Sequence, residues 1–402
     1  MTTRPDPRPT EAALERIAER EPTLHAFAAR DATHALAQAR TAPEGPLRGV
    51  PIAVKDVFDT ADFPTAYGSS IWAGHRPRAD AAAVALARAA GAVVVGKTVT
   101  TEFASYTPGA TVNPHDALRT PGGSSSGSAA AVAAGMVVAA FGTQTAGSII
   151  RPAAYCGVVG FKPSFGMIPR AGMKPLAESF DTAGTFGRRV QDAAALAAVA
   201  AARPDLLRDE MARPTLGICR TDWWAEGEAA QQAAVERAAS RLAATGWRVV
   251  ELPQPDVALA NERQGQAIAW ETARAFAWER TRHAEMLSAK FREICARGMA
   301  MDAAEHARVW EELARVRAAV ADLFSRCDVL LTPSAPGEAP LGLAATGAPT
   351  FNRLWSVFGG PCLSLPFGHG AHGMPLGVQL VGRRGEDALL LAAARAAERD
   401  LA

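Results

Sequence analysis

Residues 121–165 read PGGSSSGSAAAVAAGMVVAAFGTQTAGSIIRPAAYCGVVGFKPSF and contain two glycine-rich turns that carry serines. The residues between the turns predict a small-residue helix over 126–134 and a buried strand over 136–141. A helix followed by a returning strand would bring Ser124 and Ser148 together. Glycine lets the N–H groups of 145–148 converge on one point, as an oxyanion hole requires. A serine there suits acyl transfer, but neither turn contains a histidine to act as base.

A lysine is the available base. The run Leu47-Arg-Gly-Val-Pro-Ile-Ala-Val-Lys55 predicts a short apolar strand that ends at Lys55. Burial among apolar neighbours would lower the pKa of this lysine toward that of a usable base, and serine–lysine pairs are a known form of nucleophile activation. The competing interpretation of Lys55 is an ion pair with Asp56 or Asp59.

Lysine is rare in the chain. Only five of its 42 basic Lys and Arg residues are lysines, namely Lys55, Lys97, Lys162, Lys174 and Lys290. Arginine is not deprotonated in proteins, so a chain that relies on arginine for charge can keep lysine where a neutral base is needed.

The order of predicted elements indicates an α/β fold. Helices alternate with short apolar strands that have no polar face, which is typical of a central mixed sheet covered by helices on both faces. Residues 257–326 predict helices almost throughout. We therefore expect one domain over residues 1–402, with its core at about 45–190 and 328–400 and a helical substrate-side segment at about 200–325.

Composition excludes several classes of protein. A formal net charge of +1 gives no electrostatic footprint for nucleic acid. Five cysteines with no CxxC pair indicate neither a disulfide framework nor a zinc site, so we expect a cytoplasmic protein with no metal and no cofactor. Residues 120–150 carry no charge and are long enough to cross a bilayer, but their polar turns argue against a membrane segment.

Two motif matches fail on their context. Residues 91–98 fit the phosphate-binding pattern GxxxxGK[ST], but the intervening Ala-Val-Val-Val is itself strand rather than loop. Residues 123–127 fit the GxSxG elbow with Ser125 at its tip. The two prolines in 113–121 argue against the strand that this elbow needs, although Asp328 and His369 could complete such a triad.

The surviving pattern strongly resembles the amidase signature family. The matching elements are Gly122-Gly-Ser-Ser-Ser-Gly-Ser128, Gly142-Thr-Gln-Thr-Ala-Gly-Ser148, Arg151-Pro152, Cys156-Gly-Val-Val-Gly-Phe-Lys-Pro163, Gly49-Val-Pro-Ile-Ala-Val-Lys-Asp56, Gly96-Lys-Thr-x-x-Thr-Glu-Phe-Ala104 and Gly377-Val-Gln-Leu-Val-Gly382. They cover roughly 45–190 and 328–400, and nothing in 200–325 is diagnostic.

The resemblance implies a role for each matched residue. Ser148 would be the nucleophile that forms an acyl-enzyme, and Ser124, which follows a cis peptide in the family, would pass its proton to Lys55. The N–H groups of residues 145–148 would hold the oxyanion, contributed by Thr145, Ala146, Gly147 and Ser148. Substrate contacts are expected from Gly123, Ser125, Phe351 and Trp355, and the resemblance implies no cofactor.

Three residues depart from the family pattern. Gln144 stands where the family usually has Asp, Ala146 replaces a common Gly and must avoid positive φ, and Arg151 follows Ser148 by three residues rather than two. These departures affect the expected substrate and pH optimum more than the chemistry.

The expected function is therefore hydrolysis of the C–N bond of a small linear amide. Two alternatives remain open: a carbamate or ester hydrolase with the same mechanism, and a partner-dependent subunit of the glutamine-amidotransferase type. Similar enzymes are often dimers, so a homodimer is one expected assembly. Trp270, Trp278 and Trp310 could line an acyl pocket or belong to the core, and His369 and His372 could bind metal or lie in a polar hairpin.

Overall fold

The computed structural model describes residues 6–208 and 213–402, and within them eleven strands form one mixed sheet. The strands are β1 Phe27–Arg30, β2 Pro51–Lys55, β3 Val93–Thr98, β4 Ala139–Gln144, β5 Val159–Lys162, β6 Thr182–Gly187, β7 Leu216–Ile218, β8 Val249–Glu251, β9 Val329–Pro333, β10 Cys362–His369 and β11 Pro375–Gly382. Their order in the sheet is β1-β3-β2-β4-β6-β5-β10-β11-β9-β7-β8, with β2 parallel to β3 and β4, and β7 parallel to β8 and β9.

Helices cover both faces of this sheet. They are α1 Arg8–Leu24, α2 Ala32–Thr41, α3 Ala82–Ala89, α4 Ser126–Ala133, α5 Ile150–Cys156, α6 Val190–Ala200, α7 Ala229–Ala244, α8 Ala260–Ala275, α9 Ala277–Arg282, α10 Ala289–Ala300, α11 Ala303–Leu323, α12 Arg353–Phe358 and α13 Asp387–Leu401. No helix in the described part of the chain is long and apolar enough to cross a membrane. The uncharged stretch 120–150 instead contains α4 and β4.

The strand β2 shows why the predicted strands lack a polar face. Its side chains alternate between two buried clusters. Ile52 and Val54 belong to a buried cluster that also contains residues of α3, α6, α7 and α13, whereas Ala53 belongs to a cluster with residues of α1, α2, α4 and α5. Lys55 is two residues beyond Ala53, so alternation directs its side chain to the face that carries α4 and the serine turn before it.

The structure corrects the predicted organisation at two places. The apolar spacing of residues 10–41 predicts two helices, but residues 27–30 within this range form an edge strand that pairs antiparallel with β3. Residues 216–251 form a β-α-β unit whose strands join the central sheet next to β9, and its side chains share the main core. The helical segment proper is therefore α8–α11, where α8 packs against α10 and α11. Residues 209–212 of the predicted 200–325 segment lie outside the described residues.

The phosphate-loop match at 91–98, which its context argued against, contains the buried strand β3. Its Lys97 is fully buried, and its Nζ donates to Asp56 Oδ1 at 3.0 Å and to Thr65 Oγ1 at 2.5 Å. Asp56 is 2% exposed and also accepts the N–H of Ala66. The Asp56 carboxylate, which could have paired with Lys55, therefore pairs with Lys97 instead.

We expect the change Asp56→Asn to lower the free energy of unfolding by about 3–5 kcal/mol, because it leaves the Lys97 charge buried without its partner. Urea unfolding followed by circular dichroism measures this. Glu19→Gln is the matched control, since it removes an ion pair with Arg16 whose side chains are 60% and 51% exposed. A surface pair of this kind contributes below about 1 kcal/mol. Equal effects of the two changes would contradict a structural role for the buried pair.

Candidate active site

Lys55 lies at the end of β2 with no exposed surface and without a carboxylate partner among the described residues. Its Nζ donates to Ser124 Oγ and to Thr143 Oγ1, each at 2.7 Å. Burial lowers the pKa of the Lys55 ammonium well below its usual value, and the charge of Asp181 opposes this only in part. The structure thus shows the hydroxyl contacts of Lys55 and not the ion pair that was its alternative interpretation.

Ser124 is held in the loop before α4. The peptide bond from Gly123 to Ser124 is cis, and the Ser124 carbonyl accepts the N–H of Thr101 at 3.4 Å. The carbonyl of Gly123 accepts a hydrogen bond from Arg151 Nη2 at 2.6 Å. Because Arg151 belongs to the turn that follows Ser148, this contact joins the two serine turns that the sequence predicted to meet.

Ser148 lies where β4 passes into α5. The N–H of Arg151 donates to the carbonyl of Gly147 at 3.0 Å, so helical hydrogen bonding begins around the serine itself. Within the described residues the Ser148 hydroxyl has no hydrogen-bond partner, and its side chain lines a pocket. Catalytic hydrogen bonds are often formed only when substrate is bound.

The turn 145–148 lines the same pocket. Its four N–H groups donate to no group of residues 6–208 or 213–402. Two carbonyls of the turn accept hydrogen bonds from side chains. Gln264 Nε2 donates to the Thr145 carbonyl at 2.9 Å, and Ser356 Oγ donates to the Ala146 carbonyl at 2.8 Å. Ala146 avoids positive φ. Donors fixed in this way can stabilise an oxyanion without reorganising.

The departure at Gln144 has a structural explanation. Its Oε1 accepts the N–H groups of Ile149 and Ile150 at 2.9 and 3.0 Å and so satisfies the start of α5. A carboxyl group still lies behind the turn, because the fully buried Asp181 accepts a hydrogen bond from Thr145 Oγ1 at 2.5 Å. Burial raises the pKa of Asp181 to about 6. Sequence analysis missed Asp181, which no motif marks.

The pocket at Ser148 is a narrow slot beneath a wide vestibule. The slot has a free volume of about 40 Å³ and is lined by the turn 145–148 and by Arg151. The vestibule holds about 560 Å³, within the range of small-molecule sites. Both spaces share the residues Tyr106, Ile268, Ile294, Thr346 and Gly347. The α8 and α10 helices thus form part of the pocket wall.

Several predicted substrate contacts lie elsewhere. Phe351 and Trp355 are 2% and 1% exposed and do not line the slot, because α12 turns Trp355 into the core and presents Arg353 to the vestibule. Ser125 Oγ donates to the carbonyl of Thr143 and accepts its N–H, at 3.2 and 3.3 Å, so it braces β4. Gly123 contacts Arg151 and Thr346 rather than the slot.

The tryptophans and histidines singled out in the sequence also lie outside the slot. Trp310 stacks on Phe180 and Trp270 on His306, at ring-centroid distances of 5.5 and 4.4 Å, while Trp278 is 49% exposed. None of the three tryptophans lines the slot or the vestibule. His372 lies in the loop between β10 and β11, and its Nδ1 contacts the Glu338 carboxylate. No cluster of three or more His, Cys, Asp or Glu suited to a metal occurs in residues 6–208 and 213–402.

These features define a class of protein, and comparison with known proteins identifies it. The Amidase family model matches residues 8–391, so the chain belongs to the amidase family and its fold is that of amidase signature enzymes. Over an alignment of 460 residues the chain is 35% identical to a component of the glutamyl-tRNA(Gln) amidotransferase of Anaeromyxobacter sp. (strain K), covering 97% of this chain and 92% of that one. The family resemblance drawn from the sequence is confirmed.

Solved structures agree with this assignment. A crystal structure of an amidase superimposes with a TM-score of 0.89 at 32% identity, covering 98% of this chain and 95% of that one. The peptide amidase from Stenotrophomonas maltophilia gives a TM-score of 0.84 at 28% identity, with 98% and 93% covered. The chain is therefore an amidase-family hydrolase that acts on C–N bonds.

Proposed function

We propose that this chain hydrolyses the C–N bond of a small linear amide through an acyl-enzyme on Ser148, with Ser124 and Lys55 as its proton relay. One observation carries the proposal: Lys55 is wholly buried, has no carboxylate partner among the described residues and donates to the Ser124 hydroxyl at 2.7 Å. A buried amine that is kept neutral can accept a proton, which an ion-paired lysine cannot do.

In the first half-reaction, Ser148 Oγ attacks the amide carbonyl carbon. The Ser148 proton moves to Ser124 Oγ as the proton of Ser124 moves to Lys55 Nζ. The carbonyl oxygen becomes an oxyanion in front of the N–H groups of residues 145–148, whose freedom from other acceptors supports this role. The C–N bond then breaks, and the relay returns the proton to the leaving amine.

In the second half-reaction, water attacks the acyl ester. The relay removes a proton from this water, the ester C–O bond breaks, and Ser148 recovers its hydrogen. The proton taken from the water and the proton given to the amine therefore pass through the same three residues in opposite directions, as microscopic reversibility requires. The narrow slot limits the water that reaches the reacting atoms.

The similarity to an amidotransferase component supports a second candidate. Such a chain would release ammonia for a partner and would work poorly alone. The similarity to peptide amidase, in contrast, supports an enzyme that acts on its own. We favour the enzyme that acts alone, because the site elements, including the Lys55–Ser124 contact and the free N–H groups of the turn, are all formed in a single chain.

The test is product release by the purified chain alone from a panel of matched substrates: ammonia or amine from primary amides, anilides and carbamates, and alcohol from esters. We expect amides to be cleaved without any added protein. In the presence of hydroxylamine the same substrates should give hydroxamates, because an acyl-enzyme can be intercepted by a stronger nucleophile. Greater activity on esters or carbamates alone would redirect the assignment to those bonds. Ammonia release only after addition of a partner would favour the amidotransferase interpretation.

A further inference from the structure

The structure contains another cavity that shares no lining residue with the slot or the vestibule. We call it the rear cavity and define it by Trp310, Arg317, Ser356 and Arg384. The rest of its wall comes from residues 165–179 and from the end of α12. It holds about 420 Å³, which is within the range of small-molecule sites. No step of the proposed reaction takes place there.

Two guanidinium groups line the rear cavity without an ion-pair partner among residues 6–208 and 213–402, those of Arg317 and Arg384. Arg317 Nε donates to the carbonyl of Val357 at 2.8 Å, and its guanidinium lies 5.2 Å from the centre of the Trp310 ring. Burial lowers the pKa of Arg317, and the charge of Arg384 acts in the same direction. The two charges therefore repel each other, and an anion that binds both would relieve this repulsion.

The other charged groups at the rear cavity are better compensated. Arg170 Nη1 donates to the backbone carbonyls of Glu178 and Asp181, at 2.5 and 3.2 Å. Its charge opposes the burial that raises the pKa values of Asp181 and Glu271. Glu178 is exposed and is the one acidic residue against three arginines in the lining that the structure describes. The rear cavity thus favours a negatively charged ligand.

Ser356 connects the rear cavity to the oxyanion turn. It lines the cavity, and its Oγ donates to the Ala146 carbonyl at 2.8 Å while accepting Gln144 Nε2 at 3.1 Å. A serine hydroxyl has a single proton to donate. An anion that accepts this proton therefore takes it from the Ala146 carbonyl and leaves the turn 145–148 less firmly held.

We infer that the rear cavity binds a small organic dianion, such as a phosphate ester, through Arg317 and Arg384, and that this ligand slows turnover by accepting the Ser356 hydroxyl proton. Guanidinium groups match the oxygens of phosphate and carboxylate in pairs. A volume of about 420 Å³ also leaves room for an organic group beside the anion. The binding site is independent of the proposed function, whereas the effect on turnover rests on it.

Calorimetry tests the site with ribose 5-phosphate, malate and uncharged ribose at about pH 7.5, where a phosphate ester is mainly a dianion. We expect ribose 5-phosphate to bind and ribose not to bind. Arg317→Met or Arg384→Met should raise the Kd at least about tenfold, since each removes a charged hydrogen-bond donor. Arg315→Met, at an exposed arginine of the same helix, is the matched control and should change the Kd less than about twofold.

The binding results decide whether the site exists. Binding of malate with the same dependence on Arg384 would support the inference and extend the ligand class to dicarboxylates. Arg384 is exposed, so its replacement should leave the fold intact and keeps the test valid if Arg317→Met proves unstable. Failure of ribose 5-phosphate and malate to bind would overturn the inference. So would equal affinities in Arg384→Met and Arg315→Met.

Turnover tests the connection through Ser356. Saturating ribose 5-phosphate should lower kcat for the best amide at least about threefold with little change in KM, because the oxyanion turn acts on the transition state. Ser356→Ala should still bind ribose 5-phosphate, with a kcat that the ligand no longer lowers. Unchanged kcat in the liganded wild type, or an effect on KM alone, would overturn the inhibitory role. If no amide is cleaved, the proposed function fails, while calorimetry still decides the site.

Discussion

Ser148→Ala is expected to lower kcat/KM for amide hydrolysis by about 10⁴-fold or more, which corresponds to about 5.5 kcal/mol of transition-state stabilisation. Without Oγ no acyl-enzyme can form, and the free N–H groups of 145–148 can then assist only direct attack by water. The change removes a single atom that has no hydrogen-bond partner among the described residues, so the fold should be unaffected. Steady-state ammonia release and a thermal melt measure both effects.

Two matched serine variants sharpen this result. Ser240→Ala removes an exposed hydroxyl on α7 and should leave kcat/KM within about twofold of wild type, as expected for a surface change. Ser125→Ala tests the alternative nucleophile of the GxSxG match. Ser125 Oγ forms hydrogen bonds with the backbone of Thr143, so we expect Ser125→Ala to lower the melting temperature rather than to abolish turnover. Full activity of Ser148→Ala together with loss of turnover in Ser125→Ala would refute the assignment.

The fold was predictable where composition is strongly biased. The strands β2, β3 and β9 contain the apolar runs Ile-Ala-Val, Val-Val-Val and Val-Leu-Leu, and the sheet buries both faces of these runs. In contrast, β1 reads Phe-Ala-Ala-Arg and β6 reads Thr-Ala-Gly-Thr-Phe-Gly, neither of which has strong strand propensity. These strands form because neighbouring strands supply their hydrogen bonds, which is tertiary information.

The rarity of lysine in the sequence indicated that lysine side chains are buried, but it did not indicate what each buried lysine does. Lys55, Lys97 and Lys162 are all fully buried. Their partners differ: hydroxyl groups surround Lys55, the carboxylate of Asp56 neutralises Lys97, and the carbonyls of Pro163 and Gly360 accept from Lys162. Only the first environment suits a neutral base. Which lysine has which partner depends on strand packing and could not be read from spacing along the chain.

The pocket wall was less predictable than the serine turns. The motif at 121–148 contains the two serines and the four N–H groups within one short segment, so local pattern suffices to propose them. Gln264 and Asp181 reach this segment from distant elements, and Arg353 donates a hydrogen bond to Gln264. None of them is marked by a motif, and the prediction of Trp355 missed Arg353 by two residues, which on a helix is the opposite side.

Lys55→Met is expected to reduce kcat/KM by about 10³–10⁴-fold, because general-base catalysis at this step has no substitute within the relay. Lys55→Arg should be as inactive, since arginine keeps the donors but cannot release its proton. The relay needs the neutral amine, so wild-type activity should rise with pH through the lowered pKa of Lys55. Asp181 titrates near pH 6, and Asp181→Asn should remove its contribution to the profile while retaining that of Lys55.

Stability separates this catalytic role of Lys55 from a structural one. The folded-state pKa of Lys55 lies below that of the unfolded chain, so the unfolded chain binds more protons between the two values and the fold gains stability as pH rises through that window. An apolar methionine avoids this cost, so at neutral pH Lys55→Met should melt at or above the wild-type temperature while losing its activity. A lowered melting temperature with residual turnover that keeps the wild-type pH profile would show that Lys55 positions Ser124 without accepting its proton.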